Sequence, residues 1–291
     1  MSRPPALSAS RAKEYQQCPL KFRYSVVDGL RQPPTEATVK GTVVHKVLED
    51  LFTLPAAERT PAAAQDMLPK AWEYVLERDE AARILFENPG AATKGRHDTA
   101  TLLGNYFRME RPTNLNPRGR EQFVDARLSS GVLLRGIIDR IDEAPDGALR
   151  VIDYKTGRTP SPRFMEDALF QMRFYALLLR QAWRIPRRTQ LLYLRGEDVL
   201  TLDPDPRSID EFEGSVNALW DRIEGDAHRE KFAPRTSKLC GWCAFQKDCP
   251  AFGGKISVPP ADGLERLLAV RATDPTTTAD PATTEANPAT T

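Results

Sequence analysis

Asp139, Asp153 and Lys155 are the residues of this chain whose types and spacing point most directly to chemistry. They lie in GIIDRIDEAPDGALRVIDYKTG (136–157), which reads as two apolar strands joined by a turn at Pro145, Asp146 and Gly147. Side chains alternate between the two faces of a strand. Leu133, Ile137, Asp139 and Ile141 are therefore expected on one face of the first strand, and Leu149, Val151, Asp153 and Lys155 on one face of the second. If the turn centres on Asp146, Asp139 and Asp153 stand opposite each other with Cβ atoms about 5 Å apart. A slip of one residue would separate them. Two carboxylates that close repel unless a cation lies between them, and two oxygen ligands completed by water form a common Mg²⁺ shell. Lys155 lies about 7 Å along the same face, within reach of a water on that metal or of a phosphate oxygen. The alternative is a plain sheet ion pair, Lys155 with one aspartate, which leaves the second carboxylate unexplained.

The four cysteines form a second constellation. Cys240, Cys243 and Cys249 give C-x2-C-x5-C, and Cys18 lies far upstream. The N-terminal MSRPPALSASRAKEY lacks the apolar stretch of a secretory signal, and no apolar run approaches the ~20 residues that span a bilayer. A cytoplasmic protein is expected, with no membrane partner. Its cysteines are then metal ligands rather than disulfides. Four thiolates can hold a [4Fe–4S] cluster or a structural Zn²⁺.

The surrounding elements read as α/β with a mixed sheet. Ser8 caps a short helix through about Gln17, ending at Cys18-Pro19. Segment 37–54 places Val39, Val43, Val47 and Leu51 on one helical face. Residues 62–87 and 98–110 read as helices, and NPGAATKGR (89–97) as a loop. Strands are expected at 121–128, 132–142, 149–155, 189–196 and 198–202, with helices at 164–183 and about 207–224. One domain over 1–271 is expected, with a helical insertion at about 56–112; the Thr/Pro/Ala-rich 272–291 has too little to bury and is expected to be disordered. The net charge of +1 does not announce a nucleic-acid partner. Arg158, Arg163, Arg180, Arg184, Arg187, Arg188 and Arg195 crowd the hairpin and the segment after it, either as a local basic surface or as a solvated face. No GxxxxGK[ST] loop occurs, so the chain is not itself a P-loop motor.

GIID…VIDYK resembles the core of the PD-(D/E)xK nucleases, in particular the RecB-like branch. Gly41-Thr-Val-Val-His45 resembles that branch's GxxxH helix, and Gln171-Met-Arg-Phe-Tyr175 its QxxxY helix. Taken alone, His45 would read as a surface or packing histidine, and Gln171 with Tyr175 as an ordinary i, i+4 pair. The cysteines resemble the iron-staple variety found in AddB-type helicase–nuclease subunits and in CRISPR-associated exonucleases. The resemblance spans roughly Cys18 to Cys249, and it implies a restriction-endonuclease-like core, a central sheet flanked by helices, with Fe–S-stapled termini. It implies Mg²⁺ or Mn²⁺ on Asp139 and Asp153, with the Tyr154 carbonyl and His45 as further ligands. Lys155 then orients or activates water, Gln171 and Tyr175 touch DNA or brace the site, and Glu121 is one more carboxylate within reach. Cys18, Cys240, Cys243 and Cys249 would hold a [4Fe–4S] cluster shielded by Trp242 and Phe245. The activity implied is a metal-dependent DNA exonuclease in repair or recombination, with room for a separate helicase partner. An iron–sulfur DNA-binding module without catalysis, and a CRISPR-associated spacer-trimming exonuclease, are the other readings.

Overall fold

The computed structural model describes residues 5–162 and 165–271; the expected disordered tail and Arg163 lie outside them. Five strands form one sheet in the order β1–β5, namely Pro117–Arg127, Leu133–Glu143, Leu149–Lys155, Arg188–Tyr193 and Asp198–Leu202. Neighbours are antiparallel except β3 and β4, which are parallel. A parallel pair needs a crossover, and α7 (Met165–Ala182) supplies it.

Helices cover both faces. On one, α1 (Ala9–Gln17), α7, α8 (Pro206–His228) and α9 (Ala261–Leu268) bury Tyr15, Phe174, Leu178, Trp220 and Leu267 against Val124, Ile138, Ile141 and Val151. On the other, α3 (Glu36–Leu51), α4 (Pro61–Arg78) and α6 (Pro89–Met109) bury Val43, Val47, Trp72, Leu103 and Tyr106 against Ile152, Tyr154 and Leu192. The first segment enters as its sequence suggests: Ser8 accepts a hydrogen bond from the Arg11 N–H at the start of α1. A short helix, Pro19–Phe22, follows α1 and runs into a π-helical turn, Arg23–Val27.

The hairpin keeps the expected register from Glu143–Leu149 to Arg140–Ile152, but the expected Asp139–Asp153 pair lies beyond the ladder, where Asp139 accepts from the Tyr154 N–H instead. Arg140 faces Ile152, Ile141 faces Val151, and Gly147 turns at φ 79° between Ala144 and Ala148. The expected face of β2 does not hold throughout. Ile137 is 54% exposed, whereas Leu134, Ile138 and Ile141 all enter the α7-side core. The buried positions change parity around Asp139. Opposite that point Glu121 adopts φ 41°, a backbone region that non-glycine residues seldom occupy. The irregularity turns Asp139 out of simple alternation.

Two helical expectations are corrected. Segment 89–97 is the first part of α6, because Asn88 caps it through Gly90 and Ala91 and Pro89 takes the first helical position. Segment 62–87 is two helices, α4 and α5 (Glu80–Leu85), because the Asp79 carboxylate caps the Ala81 and Ala82 N–H groups and starts a new one. The arginine cluster is largely neutralised by carboxylates: Arg180 meets Asp210 and Glu213, Arg184 meets Glu143, Arg187 meets Asp146 and Arg188 meets Asp203. Glu143 and Asp146 lie at the turn end of the hairpin, away from Asp139 and Asp153. No described helix is long and apolar enough to cross a membrane.

Candidate metal centre and cysteine pocket

Three elements converge where β2 and β3 leave their ladder. From α3, His45 places Nδ1 3.4 Å from Asp139 Oδ2 and 3.8 Å from Glu121 Oε1. Its Nε2 lies 2.9 Å from the Tyr154 carbonyl oxygen, and the Tyr154 N–H donates to Asp139 Oδ2 at 2.7 Å. Among the described residues, His45, Glu121 and Asp139 are the one group of three whose ligand atoms all lie within 4.8 Å of one another. Nitrogen and carboxylate oxygens at that spacing suit a divalent transition ion or Mg²⁺.

Asp153 completes the arrangement from β3. It is 3% exposed. Gln171 Nε2 donates to its Oδ2 at 2.8 Å, and the Tyr175 hydroxyl lies 3.2 Å from the same atom. Gln171 also donates to Tyr175, so the i, i+4 pair on α7 acts as one clamp. The other oxygen, Oδ1, is buried without an aligned hydrogen bond, although Lys155 Nζ stands 2.5 Å away. A buried carboxylate oxygen with only an ammonium beside it is a suitable ligand atom for a cation. The local sequence explains the placement. Asp153 and Lys155 alternate with Ile152 and Tyr154, which bury in the opposite layer.

The electrostatics match a site built for positive charge. Burial disfavours the His45 proton, but the Asp139 charge and hydrogen bonds to Asp139 and Glu121 outweigh it and push the imidazole up to about 10. Burial and then the Asp139 charge push Asp153 up to about 6, against the pull of Lys155. Two carboxylates therefore share a site that a cation would relieve.

The structure thus brings His45, Asp139, Asp153, Tyr154, Lys155, Gln171 and Tyr175 together, with Glu121 among them. Sequence reasoning missed Arg140, which is fully buried and grips the Tyr154 hydroxyl at 2.6 Å from behind. Its position next to Asp139 was the available signal, because an arginine in a strand pointing away from one buried face must find carboxylates in the other.

The four cysteines are all half-buried and line one cavity of about 280 Å³. Leu20, Tyr24 and Phe245 pack against Cys18, Cys243 and Cys249, while Trp242, expected as a shield, is 83% exposed. The Arg235 N–H donates to Cys18 Sγ at 3.4 Å and the Ser237 N–H to Cys240 Sγ at 3.3 Å. Among the described residues no three sulfurs come within 4.8 Å of one another.

The family model of the PD-(D/E)XK nuclease superfamily matches residues 6–250. An ATP-dependent helicase/deoxyribonuclease subunit of Streptococcus equi subsp. zooepidemicus (strain H70) is 28% identical over 160 residues, covering 53% of this chain. This chain spans only 14% of that protein's length. The Gene 69 protein of Mycobacterium phage D29 is 24% identical over 272 residues, 85% of this chain and 97% of its own length. The crystal structure of SSO0001 aligns over 88% of this chain and 90% of that one, at a TM-score of 0.40 and 16% identity.

Proposed function

The chain belongs to the PD-(D/E)XK nuclease superfamily, and from that premise we propose that it is a divalent-metal-dependent DNA exonuclease acting at Asp139 and Asp153. The observation that carries the reading is the joint placement of His45, Glu121 and Asp139 as one ligand group, with the buried Asp153 Oδ1 and its ion-pair partner Lys155 beside it. His45, Glu121, Asp139 and Asp153 would hold Mg²⁺ or Mn²⁺, with the Tyr154 carbonyl as a further ligand. When bound, such an ion supplies charge for a phosphodiester oxygen and acidifies water. The protein does the rest. Lys155 orients the attacking water and offers positive charge to the phosphorane-like transition state. Gln171 and Tyr175 fix the direction of Asp153. Ile137, 54% exposed beside Asp139, gives a base or sugar an apolar surface.

The cysteine pocket holds a [4Fe–4S] cluster in this reading. Zinc ribbons usually present two CxxC knuckles, and C-x2-C-x5-C with one remote cysteine fits a cluster better. That all four cysteines line one cavity of about 280 Å³ supports one shared ligand set. Likeness to part of a helicase/deoxyribonuclease subunit supports a role beside a separate helicase.

The test is degradation of 5′- and 3′-labelled single- and double-stranded DNA by protein purified without oxygen, in Mn²⁺, Mg²⁺ or EDTA, beside D153A. Metal-dependent loss of label that disappears in D153A supports the nuclease. A folded, brown protein that binds DNA and cleaves none of these substrates points instead to a binding module.

A further inference from the structure

Tyr154 serves the two sides of the sheet with different parts of itself. Its main-chain N–H and carbonyl meet Asp139 and His45 in the site. Its side chain is buried in the layer under α3, α4 and α6, away from Asp153, where Arg140 Nη1 donates to the hydroxyl at 2.6 Å and to that of Tyr106 at 3.3 Å. The Tyr154 ring stands edge-on to both Tyr106 and His45.

Arg140 is 0% exposed and fully engaged. It donates two hydrogen bonds to Glu110 at 2.8 and 2.9 Å and two to Asp142 at 3.0 and 3.2 Å. Arg150 adds a second guanidinium to the same two carboxylates. The four charges balance. Glu110 is the residue that ends α6, so the network joins the helical insertion to the back of the metal centre.

A buried ion pair is an indifferent source of stability, and apolar side chains of the same volume would fill the layer as well. Apolar side chains could not fix how the Tyr154 peptide is rotated. That peptide carries one donor and one acceptor, each committed to a different site residue. Turning it would release Asp139 and His45 together. Arg140 itself follows Asp139 in the chain, so one guanidinium restrains the backbone of both strands at the level of the site.

We propose that Glu110, Arg140 and the Tyr154 hydroxyl position the metal-binding face from behind the sheet, and that this is what the helical insertion contributes to the site. The proposal rests on the metal-centre reading above. None of the three touches the metal or the substrate; they are positioning residues. Groups behind metal ligands of this kind change metal affinity by about 10- to 100-fold when removed.

The test is a calorimetric Mn²⁺ titration of the EDTA-stripped full chain, with cleavage kinetics run on the same preparations. Y154F removes one hydroxyl and leaves the peptide in place. E110Q removes the charge at the end of α6. Y106F removes the other hydroxyl bound to Arg140, which has no main-chain link to the site. Y154F and E110Q should need roughly tenfold more Mn²⁺ for half-saturation, with KM for DNA little changed. Y106F should match the parent. If E110Q does not fold, Y154F decides. Parent-like Mn²⁺ affinity in Y154F overturns the proposal, and so does an equal loss in Y106F, which would mark general loosening of the layer. A parent chain that binds no Mn²⁺ overturns the metal-centre reading itself.

Discussion

His45 and Asp153 must both be free of a proton to hold a metal. With His45 pushed up to about 10 and Asp153 up to about 6, the metal-free site at pH 7 holds a proton on His45 and none on Asp153. Mn²⁺ binding at pH 7 should therefore release about one proton, read by calorimetry in buffers of different ionisation enthalpy. The sign follows directly. Between pH 6 and 10 one proton is displaced and affinity should rise about tenfold per pH unit; below pH 6 Asp153 also holds its proton and the slope should steepen toward two. Affinity that stays flat from pH 6 to 8 would show that metal binding displaces no proton from His45. Lys155 gives a second prediction at this scale. Its ammonium lies 2.5 Å from Asp153 Oδ1, whose side chain is 4% exposed, so its removal unpairs a buried carboxylate and should lower the melting temperature. K155A should keep Mn²⁺ binding and lose at least about 100-fold in cleavage, the scale of a lost acid–base or charge-stabilising group. Cleavage at the parent's rate would remove Lys155 from the mechanism.

At the level of elements, α7 and β2 have to approach closely for Tyr175 to reach Asp153. Gly136 permits it. A Cβ there would lie 2.9 Å from Leu178 Cδ2 and 3.4 Å from Tyr175 Cε1, and both side chains are buried. G136A should destabilise the fold by about 1–3 kcal/mol, the usual cost of an overpacked core, and should lower cleavage more than that loss explains by displacing Tyr175. Thermal melting and single-turnover kinetics on one sample separate the two effects. Much at this scale was legible in the sequence. The hairpin register followed from the turn residues, and the helices bearing His45, Gln171 and Tyr175 followed from their periodicity. What was not legible has identifiable causes. NPGAATKGR looks like a loop because glycine and proline weaken a helix, yet Gly95 lets α6 press against Trp72 and Phe86. Asp79 reads as one more polar surface residue until its carboxylate is seen capping α5. The parity change at Asp139 depends on a backbone twist at Glu121, which no residue type announces. Two partners of Arg140, Tyr106 and Glu110, arrive from a helix some thirty residues upstream and could not be paired by local pattern.

At the scale of the whole molecule, the early and late segments of the described chain meet at several places, two of which bear on the cysteines. One joint is the cysteine pocket. The other is made of ordinary hydrogen bonds: buried Arg23 donates to Asp28 at 3.2 Å and to the Ser257 carbonyl at 2.5 Å, and the Tyr24 hydroxyl donates to the Asp248 carbonyl at 2.9 Å. Tyr24 and Phe245 rings pack at 5.3 Å. A cluster bridging Cys18 and the three later cysteines would remove loop entropy from the unfolded chain worth on the order of 5 kcal/mol, by analogy with a disulfide closing a loop of this length. The hydrogen-bonded joint remains without it. Loss of the cluster should therefore loosen the ends without releasing them. C249S, or protein stripped of iron, should melt at a lower temperature. Amide exchange should rise over 235–258 and beside Cys18, while β3 and α7 keep their protection. DNA binding should weaken as well, with the cleaving residues still in place. Replacing Tyr24 by Phe in the stripped protein should extend the rise in exchange through the π-helical turn, because the second joint is then weakened too. If the stripped protein keeps both its melting curve and its activity, the cysteines do not hold the termini, and the hydrogen bonds of Tyr15, Arg23, Tyr24 and Arg235 do.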